Sequence, residues 1–200
     1  MTGPVPECRI VCLTGFMGSG KSTVGRLLAA QLAWHFVDLD AEIERHTGLQ
    51  ISQIFEQKGE AVFRDIEHEC LARALGWASE QDARVVLALG GGTFAQPRNA
   101  ELIHNRGSSQ RAAAAVVWLD CGIESLLQRC VLMGDRPLFR DEASFRKLYE
   151  ERLPYYQQAD YRIESSGEPI RVVEQILALG IFDPSGRVAG DGAAPGHPLL

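Results

Sequence analysis

A glycine-rich segment near the N-terminus constrains the fold of this chain more than any other feature. Residues 15–23 read GFMGSGKST and match the pattern G-x-x-x-x-G-K-[ST]. Glycines let successive backbone N–H groups curl around a phosphate, and a helix that follows turns its positive N-terminal end toward the same anion. An apolar, β-branched run precedes the segment (residues 9–14), and a segment of helical spacing follows it (residues 21–33). The sequence therefore predicts a strand, a phosphate-binding loop and a helix, rather than a glycine-rich turn that contains a lysine by chance.

This loop carries the expected contacts to a nucleotide. Lys21 is placed to reach the β- and γ-phosphates, and the Ser22 hydroxyl is placed to bind Mg²⁺. The residues predicted to bind the nucleotide here are Gly18, Ser19, Gly20, Lys21, Ser22 and Thr23. Because GTPases, ATPases and small-molecule kinases all use such a loop, it predicts nucleotide binding and leaves the reaction open.

Short apolar segments alternate with helical segments along the rest of the chain. The predicted strands are residues 9–14, 35–38, 84–89, 113–119 and 161–163. The predicted helices are residues 21–33, 41–46, 51–75 (capped by Ser52, with a break near Gly59), 97–106, 123–132, 142–158 and 168–179. This alternation is typical of parallel βαβ units, so we expect an α/β protein with three layers, α/β/α, around a five-stranded parallel sheet. We expect one domain over residues 8–181 and a disordered Gly/Pro/Ala-rich tail over residues 183–200.

Composition and charge narrow the functional classes. The 200-residue chain is 46% hydrophobic and carries a net charge of −6, which weakly opposes nucleic acid as the main partner because phosphate backbones select basic surfaces. No apolar run approaches the ~20 residues of a membrane span, and residues 1–7 lack the features of a signal peptide. We therefore expect a cytoplasmic protein with no membrane or nucleic-acid partner, and we expect it to be a monomer. The five cysteines and five histidines show no metal-ligand spacing, so we expect plain thiols and no structural metal.

Two aspartates follow the second predicted strand. Asp38 and Asp40 flank Leu39, and alternation along a strand places their carboxylates on the same side. At the carboxyl end of a parallel strand, one is placed to hold the water shell of Mg²⁺ and the other to accept a proton from an attacking hydroxyl. The alternative is structural, with Asp40 as the N-cap of the next helix.

The long predicted helix and the third predicted strand carry candidate acceptor residues. Arg64 and Glu67 are three residues apart and share a helix face. They form either a surface ion pair or, if the arginine points into the crevice, a two-bond clamp for an acidic acceptor. Gly90, Gly91 and Gly92 directly follow the strand, where they allow a ligand to touch the backbone or simply form a tight turn.

Four of the arginines in the C-terminal half of the domain are candidate site residues. Arg129, Arg136 and Arg140 surround a polar segment with a glycine and a proline, which indicates a lid at about residues 132–141 that brings cations onto the transferred phosphate. Arg152 is a further cation on a helix face. For each of these arginines the alternative is an exposed surface side chain.

Taken in order, these motifs resemble the shikimate kinases from about residue 10 to residue 179. The matching stretches are GFMGSGKST (15–23), D-x-D (38–40), I-E-x-x-T-G (43–48), I-x-x-I-F (51–55), G-E-x-x-F-R-x-x-E (59–67), G-G-G (90–92), R-P-L (136–138) and R-x-x-x-Y (152–156). The resemblance implies a P-loop kinase fold and transfer of the γ-phosphoryl group of ATP to a shikimate hydroxyl, giving shikimate 3-phosphate, with Mg²⁺ as cofactor.

The resemblance also implies roles for individual residues. Asp40, Arg64, Gly91 and Arg152 would contact shikimate, with Asp40 next to the reacting hydroxyl; Gly90, Gly92 and Glu67 complete that set. Phe55 and Phe63 would wall the acceptor pocket. Lys21, Asp40 and Arg136 would be catalytic, with Arg136 as the lid arginine on the phosphates. Arg129 would lie against adenine, and Asp38 would support Mg²⁺ through water.

One segment departs from the family pattern. Family members often carry a basic residue before the last helix, near the adenine, whereas residues 165–168 here read SSGE. Two alternatives to shikimate phosphorylation are a kinase for another hydroxy acid such as gluconate, and a non-catalytic nucleotide-binding paralogue. The combination of Asp40, Arg64, three glycines and Arg152 opposes the first, and the intact loop opposes the second.

Overall fold

The computed structural model describes residues 8–107, 113–133 and 141–182. Within them, five strands form one sheet: β1 (Cys8–Thr14), β2 (His35–Asp38), β3 (Val85–Ala88), β4 (Ala113–Asp120) and β5 (Tyr161–Glu164). The strand order is β2-β3-β1-β4-β5, and every neighbouring pair is parallel. In the register of the central strand, Val11 lies opposite Val86 of β3 and Ala115 of β4. The predicted five-stranded parallel sheet is confirmed.

Helices cover both faces of this sheet. They are α1 (Lys21–Leu32), α2 (Leu39–Thr47), α3 (Ile51–Glu80), α4 (Pro97–Gly107), α5 (Ile123–Met133), α6 (Glu142–Tyr156) and α7 (Pro169–Leu177). Ile10 and Cys12 of β1 belong to a buried cluster with residues of α2, α3 and α4, whereas Val11 and Leu13 belong to a second cluster with residues of α1 and α7. Because alternate side chains of β1 are buried on opposite faces, the sheet is the middle of three layers, as predicted.

The long helix α3 differs from the prediction in its last residue and in its cap. α3 continues beyond residue 75 to Glu80 because its apolar stripe continues: Ala78 is 2% exposed, and the Trp77 ring packs edge-on against His35 at 5.1 Å between centroids. The predicted cap Ser52 lies inside the helix, and Gln50 occupies the cap position, where its backbone N–H donates to Gln53 Oε1 (2.9 Å). The predicted break is present at Gly59, whose φ of 80° is non-helical.

The predicted lid and tail fall largely outside the described residues. α5 ends at Met133, and Asp141 caps α6 by accepting a hydrogen bond from Ser144 N at 2.8 Å. Arg136 and Arg140 therefore lie outside the described residues, as do residues 183–200. Among the helices that are described, none has the length and apolar character needed to cross a membrane.

The described cysteine side chains are free thiols in the interior. Cys8, Cys12, Cys70 and Cys121 are all buried. Burial raises the pKa of the Cys12, Cys70 and Cys121 thiols above their ordinary value, so these thiols stay protonated at neutral pH and are poor nucleophiles. The side chain of Cys130 lies outside the described set.

Candidate functional site

The carboxyl ends of three neighbouring strands meet at one edge of the sheet. β1 runs into the glycine-rich loop, β2 ends at Asp38, and β3 is followed by residues 90–92. A hydrogen bond from Leu89 N to Leu13 O (3.0 Å) extends the pairing of β3 with β1 to this edge. Ligands of open parallel sheets bind at such an edge, so the nucleotide and acceptor residues predicted from the sequence lie where a site is expected.

The loop after β1 has the backbone of a phosphate cradle. Gly15 has a φ of +141°, and a Cβ there would lie 2.7 Å from Leu119 O, so a side chain does not fit. α1 begins at Lys21 with neither a side-chain cap nor an acidic residue in its first turn, and Gly20 before it is left-handed. The positive end of this helix is therefore left open and suits a bound anion. Lys21 Nζ donates to Gly15 O (2.8 Å) and Phe16 O (2.9 Å), which holds the ammonium group against the loop.

A cavity of about 490 Å³ lies beside this loop, large enough for part of a nucleotide. Its walls are the start of α1, Arg129 of α5 and the segment that joins β5 to α7. Arg129 donates to Gly18 O (3.2 Å), Ser165 O (3.2 Å) and Ser166 O (2.8 Å). The N–H groups at the edge of the planar guanidinium group make these hydrogen bonds, so its flat face takes part in none of them. Arg129 thus fastens the phosphate loop to the opposite wall of the cavity.

Two hydroxyl groups in the cavity wall lack partners within the described part of the chain. Ser19 is 1% exposed and Ser165 is 2% exposed, and neither Oγ makes a hydrogen bond there. A buried polar group without a partner is unfavourable, and a bound polar ligand removes that cost. Because Ser19 and Ser165 line the cavity, rotation of either side chain can turn its hydroxyl toward a bound nucleotide, although residues 165–168 carry no basic side chain.

The structure corrects the sequence argument for the two aspartates. β2 ends at Asp38, and α2 begins at Leu39, so strand alternation does not reach Asp40. Asp38 is the N-cap of α2 and accepts a hydrogen bond from Ala41 N at 3.4 Å, so the cap position belongs to Asp38 and not to Asp40. Asp40, in the first turn of α2, has its Oδ1 2.6 Å from the point that a Cβ on Gly90 would occupy. The helix turn therefore brings Asp40 against the three-glycine segment.

Arg64 is mostly buried. Its side chain is 11% exposed and forms ion pairs in two directions, with Glu60 Oε1 (3.0 Å) and with Glu67 Oε2 (3.0 Å). Glu60 is 66% exposed, whereas Glu67 is 1% exposed. The Arg64 guanidinium also lies 5.1 Å from the centre of the Phe63 ring. The ion pair considered from the sequence exists, but it holds an arginine that points into the site.

Two guanidinium groups converge over Gly92. A Cβ built on Gly92 would lie 2.8 and 2.9 Å from the Arg64 Nη atoms and 3.1 Å from Arg152 Nη2. Residues 88 positions apart in the chain thus share one point in space. An anion between two cations this close lowers their repulsion, and the planar guanidinium matches a carboxylate. The pair therefore forms an anion site next to the glycine backbone.

Tyr156 supports the same glycine segment from the α6 side. Its hydroxyl donates a hydrogen bond to Gly91 O. Burial raises the pKa of Tyr156 to about 12, an effect partly offset by Arg152, so the phenol remains a donor at neutral pH. A Cβ at Gly91 would lie 3.4 Å from Met17 N and 3.5 Å from Arg152 Nη1. The glycine segment is therefore packed between the phosphate loop and α6.

The predicted aromatic wall is present on α3. The rings of Phe55 and Phe63 lie 4.4 Å apart between centroids, with a tilt of 35°. Phe63 is buried, and Phe55 is half-buried. They give an apolar side to the region in front of Arg64, which suits the ring carbons of a small cyclic acid.

Oxygen donors for a cation lie at the same edge of the sheet. Ser22 is in the first turn of α1, and Asp38 is at the end of β2. Among the described residues, no group of three or more His, Cys, Asp or Glu is arranged to hold a metal ion. A hydroxyl and a carboxylate are ligands that Mg²⁺ accepts, and Mg²⁺ commonly takes its remaining ligands from phosphates and water. These donors fit a Mg²⁺ ion that arrives with a nucleotide.

Sequence reasoning missed the residues that hold the predicted ones in place. Thr93 and Asn99, which are both 0% exposed, and Tyr156 were assigned no role. The R-x-x-x-Y spacing contained a signal for Tyr156, because residues four apart on a helix share a face. Thr93 directly follows a glycine run, where a polar residue usually indicates an exposed turn, and Asn99 is a polar residue near the start of a predicted helix. Neither position signals burial in the sequence.

Comparison with known proteins gives a consistent result. A family model described as shikimate kinase matches residues 17–179. A shikimate kinase of Persephonella marina is 40% identical over 171 residues, covering 84% of this chain and 97% of the relative. A solved shikimate kinase of Acinetobacter baumannii in complex with shikimate superposes with a TM-score of 0.76 and 36% identity, covering 92% of this chain and 97% of that one.

A gluconokinase of Sinorhizobium meliloti covers 87% of this chain and 91% of that structure with a TM-score of 0.55, but at 16% identity. That likeness shows the fold alone and does not favour gluconate as the substrate. The matches in sequence and in structure agree with the motifs and with the arrangement of the site. The chain belongs to the shikimate kinase family.

Proposed function

We propose that this chain uses ATP and Mg²⁺ to phosphorylate shikimate, through the residue roles given below. The observation that carries the proposal is the convergence of Arg64 and Arg152 over Gly92, with the Asp40 carboxylate against Gly90. An anion site and a proton acceptor thus lie at the two ends of a three-residue segment. A small molecule with a carboxylate at one end and a hydroxyl at the other fits that arrangement.

The acceptor's carboxylate lies between Arg64 and Arg152. Each guanidinium offers charge-assisted hydrogen bonds worth roughly 1.5–3 kcal/mol. Phe55 and Phe63 pack against the ring of the acceptor, and Glu67 fixes Arg64 from the buried side at 3.0 Å. Because the carboxylate end of the acceptor is fixed, the opposite end of the molecule is directed toward Asp40.

Phosphoryl transfer takes place between Asp40 and the phosphate loop. The acceptor hydroxyl oxygen forms a bond to the γ-phosphorus, the bond from that phosphorus to the bridging oxygen of ADP breaks, and Asp40 accepts the hydroxyl proton. Lys21 and the N-terminus of α1 stabilise negative charge on the phosphates. The Ser22 hydroxyl, with Asp38 acting through water, would hold Mg²⁺, which would supply further charge neutralisation at the phosphates. Arg136, which lies outside the described residues, is assigned the lid role by the family resemblance.

The nucleotide base occupies the cavity next to Arg129. That cavity adjoins the phosphate loop, and the Ser19 and Ser165 hydroxyls in its wall need polar partners. We assign Gly18, Ser19, Gly20, Thr23 and Arg129 to nucleotide binding. The cavity wall includes Arg129, Ser165 and Ser166, so recognition of adenine relies on these residues in place of a basic side chain in the segment between β5 and α7.

The setting we propose is a cytoplasmic monomer that acts on a small molecule without a nucleic-acid or membrane partner. The net charge of −6 supports the absence of a nucleic-acid partner, because phosphate backbones select basic surfaces. The proposed acceptor residues all come from a single chain, so the acceptor pocket needs no second subunit.

An acceptor panel tests the proposal. ADP release is measured with shikimate, quinate, gluconate and nucleoside monophosphates. We expect rapid turnover with shikimate and background rates with gluconate and the nucleotides. Equal or faster turnover with gluconate, or ADP release that no acceptor stimulates, would contradict the proposal.

A further inference from the structure

We infer that a buried chain of polar side chains, Glu67–Thr93–Asn99, which ends at His68, positions Arg64 for the acceptor carboxylate. Thr93 is its key member because it contacts both the arginine's partner and the glycine segment. The inference rests on the proposed role of Arg64 in binding shikimate. It adds positioning residues that do not themselves touch the substrate.

The contacts form a continuous path. The Thr93 hydroxyl donates to Glu67 Oε1 at 2.7 Å, and the Glu67 carboxylate accepts from Arg64 Nη1 at 3.2 and 3.0 Å. Asn99 Nδ2 donates to the Thr93 backbone O at 3.1 Å, and Asn99 Oδ1 lies 2.7 Å from His68 Nδ1. Glu67, Thr93 and Asn99 are each at most 1% exposed.

The direction of each hydrogen bond is fixed by chemistry. A carboxylate only accepts, so the Thr93 hydroxyl is the donor to Glu67. The Asn99 amide nitrogen faces a backbone carbonyl, so its oxygen faces His68 and His68 Nδ1 carries a proton. Turning the Asn99 amide over would place its oxygen against the Thr93 carbonyl, two acceptors together. The chain therefore has a single orientation from His68 to Arg64.

Arg64 needs such a support because it has two carboxylate partners. Glu60 lies on the exposed side at 3.0 Å, and Glu67 lies on the buried side at 3.0 Å. Thr93 holds the Glu67 carboxylate with a hydrogen bond from an uncharged donor and leaves its charge to Arg64. Without that donor, the Glu67 carboxylate can rotate, and the arginine can move outward toward Glu60. The buried chain thus favours the position of Arg64 over Gly92.

Thr93 also fixes the other side of the acceptor pocket. Its backbone N donates to Gly90 O at 3.1 Å, and its Oγ1 would lie 2.9 Å from a Cβ on Gly90. One residue therefore sets the distance between Arg64 and the glycine backbone. Loss of the Thr93 hydroxyl should loosen shikimate binding more than it slows the chemical step.

The test compares Thr93→Val, which removes the hydroxyl and keeps the shape, with Thr93→Ser, which keeps the hydroxyl. Thr47→Val is the matched control, because the Thr47 hydroxyl bonds the Ile43 carbonyl at 2.8 Å on α2, away from Arg64. We expect Thr93→Val to raise the shikimate KM by about tenfold, as the loss of one hydrogen bond to a charged group predicts. Its kcat and its ATP Kd without acceptor should stay close to wild type. Thr93→Ser and Thr47→Val should match wild type in the shikimate KM.

A double-mutant cycle separates positioning from general stability. If Thr93 acts through Arg64, then adding Thr93→Val to Arg64→Ala should raise the shikimate KM no further. Additive effects would overturn the inference, as would an unchanged KM in Thr93→Val while Arg64→Ala raises it. An unchanged KM in Arg64→Ala itself would instead overturn the proposed role of Arg64. Should Thr93→Val fail to fold, Thr93→Ala takes its place with the same two outcomes.

Discussion

A methyl group at Gly92 tests the geometry of the anion site most sharply. In Gly92→Ala the new Cβ would lie 2.8 and 2.9 Å from the Arg64 nitrogens and 3.1 Å from Arg152 Nη2. The ordinary separation of such heavy atoms begins at about 3.5 Å, so the nearest Arg64 nitrogen must retreat by about 0.7 Å. Both groups are the ends of flexible side chains, and they can move without disturbing the backbone. The protein should therefore fold, but with its two guanidinium groups displaced from the carboxylate.

The expected effect follows from the hydrogen bonds at stake. Charge-assisted bonds are short, at ~2.7–2.9 Å, and a displacement of this size breaks or weakens at least one of them. A loss of roughly 1.5–3 kcal/mol corresponds to an increase of about 10- to 100-fold in the shikimate KM. The ATP Kd, measured without acceptor, should barely change, because the three atoms nearest to the new methyl group all belong to the two arginines.

The assay is steady-state kinetics with shikimate as the varied substrate, together with thermal unfolding. Gly122→Ala is the control, since a Cβ there would meet nothing within 4 Å. We expect Gly122→Ala to keep the wild-type shikimate KM. A Gly92→Ala enzyme that folds and also keeps the wild-type shikimate KM would refute the reasoning, because the two arginines would then not bind the acceptor over Gly92.

Three further substitutions test other parts of the site. Lys21→Ala should abolish turnover and leave the thermal midpoint close to that of wild type, because the Nζ bonds backbone oxygens of its own loop. Wild-type turnover would remove the phosphate assignment. Asp40→Asn should lower kcat by about 10²- to 10⁴-fold, the usual contribution of a positioned base, with nucleotide binding unchanged; if Asp38→Asn gave this loss and Asp40→Asn none, the two roles are exchanged. Burial raises the pKa of Tyr156 to about 12, whereas the pKa of tyrosine in an unfolded chain is ~10. Between these values the unfolded chain loses the phenol proton and the folded chain keeps it, so the free energy of unfolding should fall as pH rises from about 10 to about 12. Urea unfolding across that range should show a smaller fall for Tyr156→Phe, and an equal fall would contradict the assignment.

The phosphate loop and its flanking elements were predictable because local chemistry determines them. The pattern over residues 15–23 requires glycines where the backbone curls, and it places the start of α1 at Lys21, as observed. The strands were also predictable, because in a parallel sheet both faces are buried and the apolar runs are continuous. These features depend on neighbours in the sequence, which the sequence displays directly.

Asp38 and Asp40 show where local reasoning fails. The prediction that both carboxylates lie on the same side required β2 to continue through Asp40. In the structure, Leu39 is already the first residue of α2 and is 0% exposed. Either geometry satisfies the apolar pattern, since a single leucine between two aspartates fits both a strand and a helix start. The choice depends on packing against the rest of the domain.

The acceptor site could be assigned from the sequence only by resemblance. Nothing in the spacing shows that Arg64 and Arg152 approach the same point over Gly92. The burial of Thr93 and Asn99 is likewise a tertiary property, because their side chains meet Glu67 and His68 of the distant helix α3. Motifs identify which residue types are present, whereas contacts between distant elements decide which of them act together.

The central claim is that Arg64 binds the carboxylate of shikimate, and a cycle that changes both partners tests it directly. The measurement is the ratio of kcat/KM for shikimate to that for its uncharged methyl ester, in wild type, in Arg64→Ala and in Arg98→Ala. Arg98 is the control because its ion pair with Asp65 (2.8 Å) is exposed and of little energetic weight. We predict a large ratio in wild type and in Arg98→Ala, and a ratio at least ~10-fold smaller in Arg64→Ala, because the ester has already lost the interaction that the mutation removes. The same ratio in all three enzymes would contradict the account.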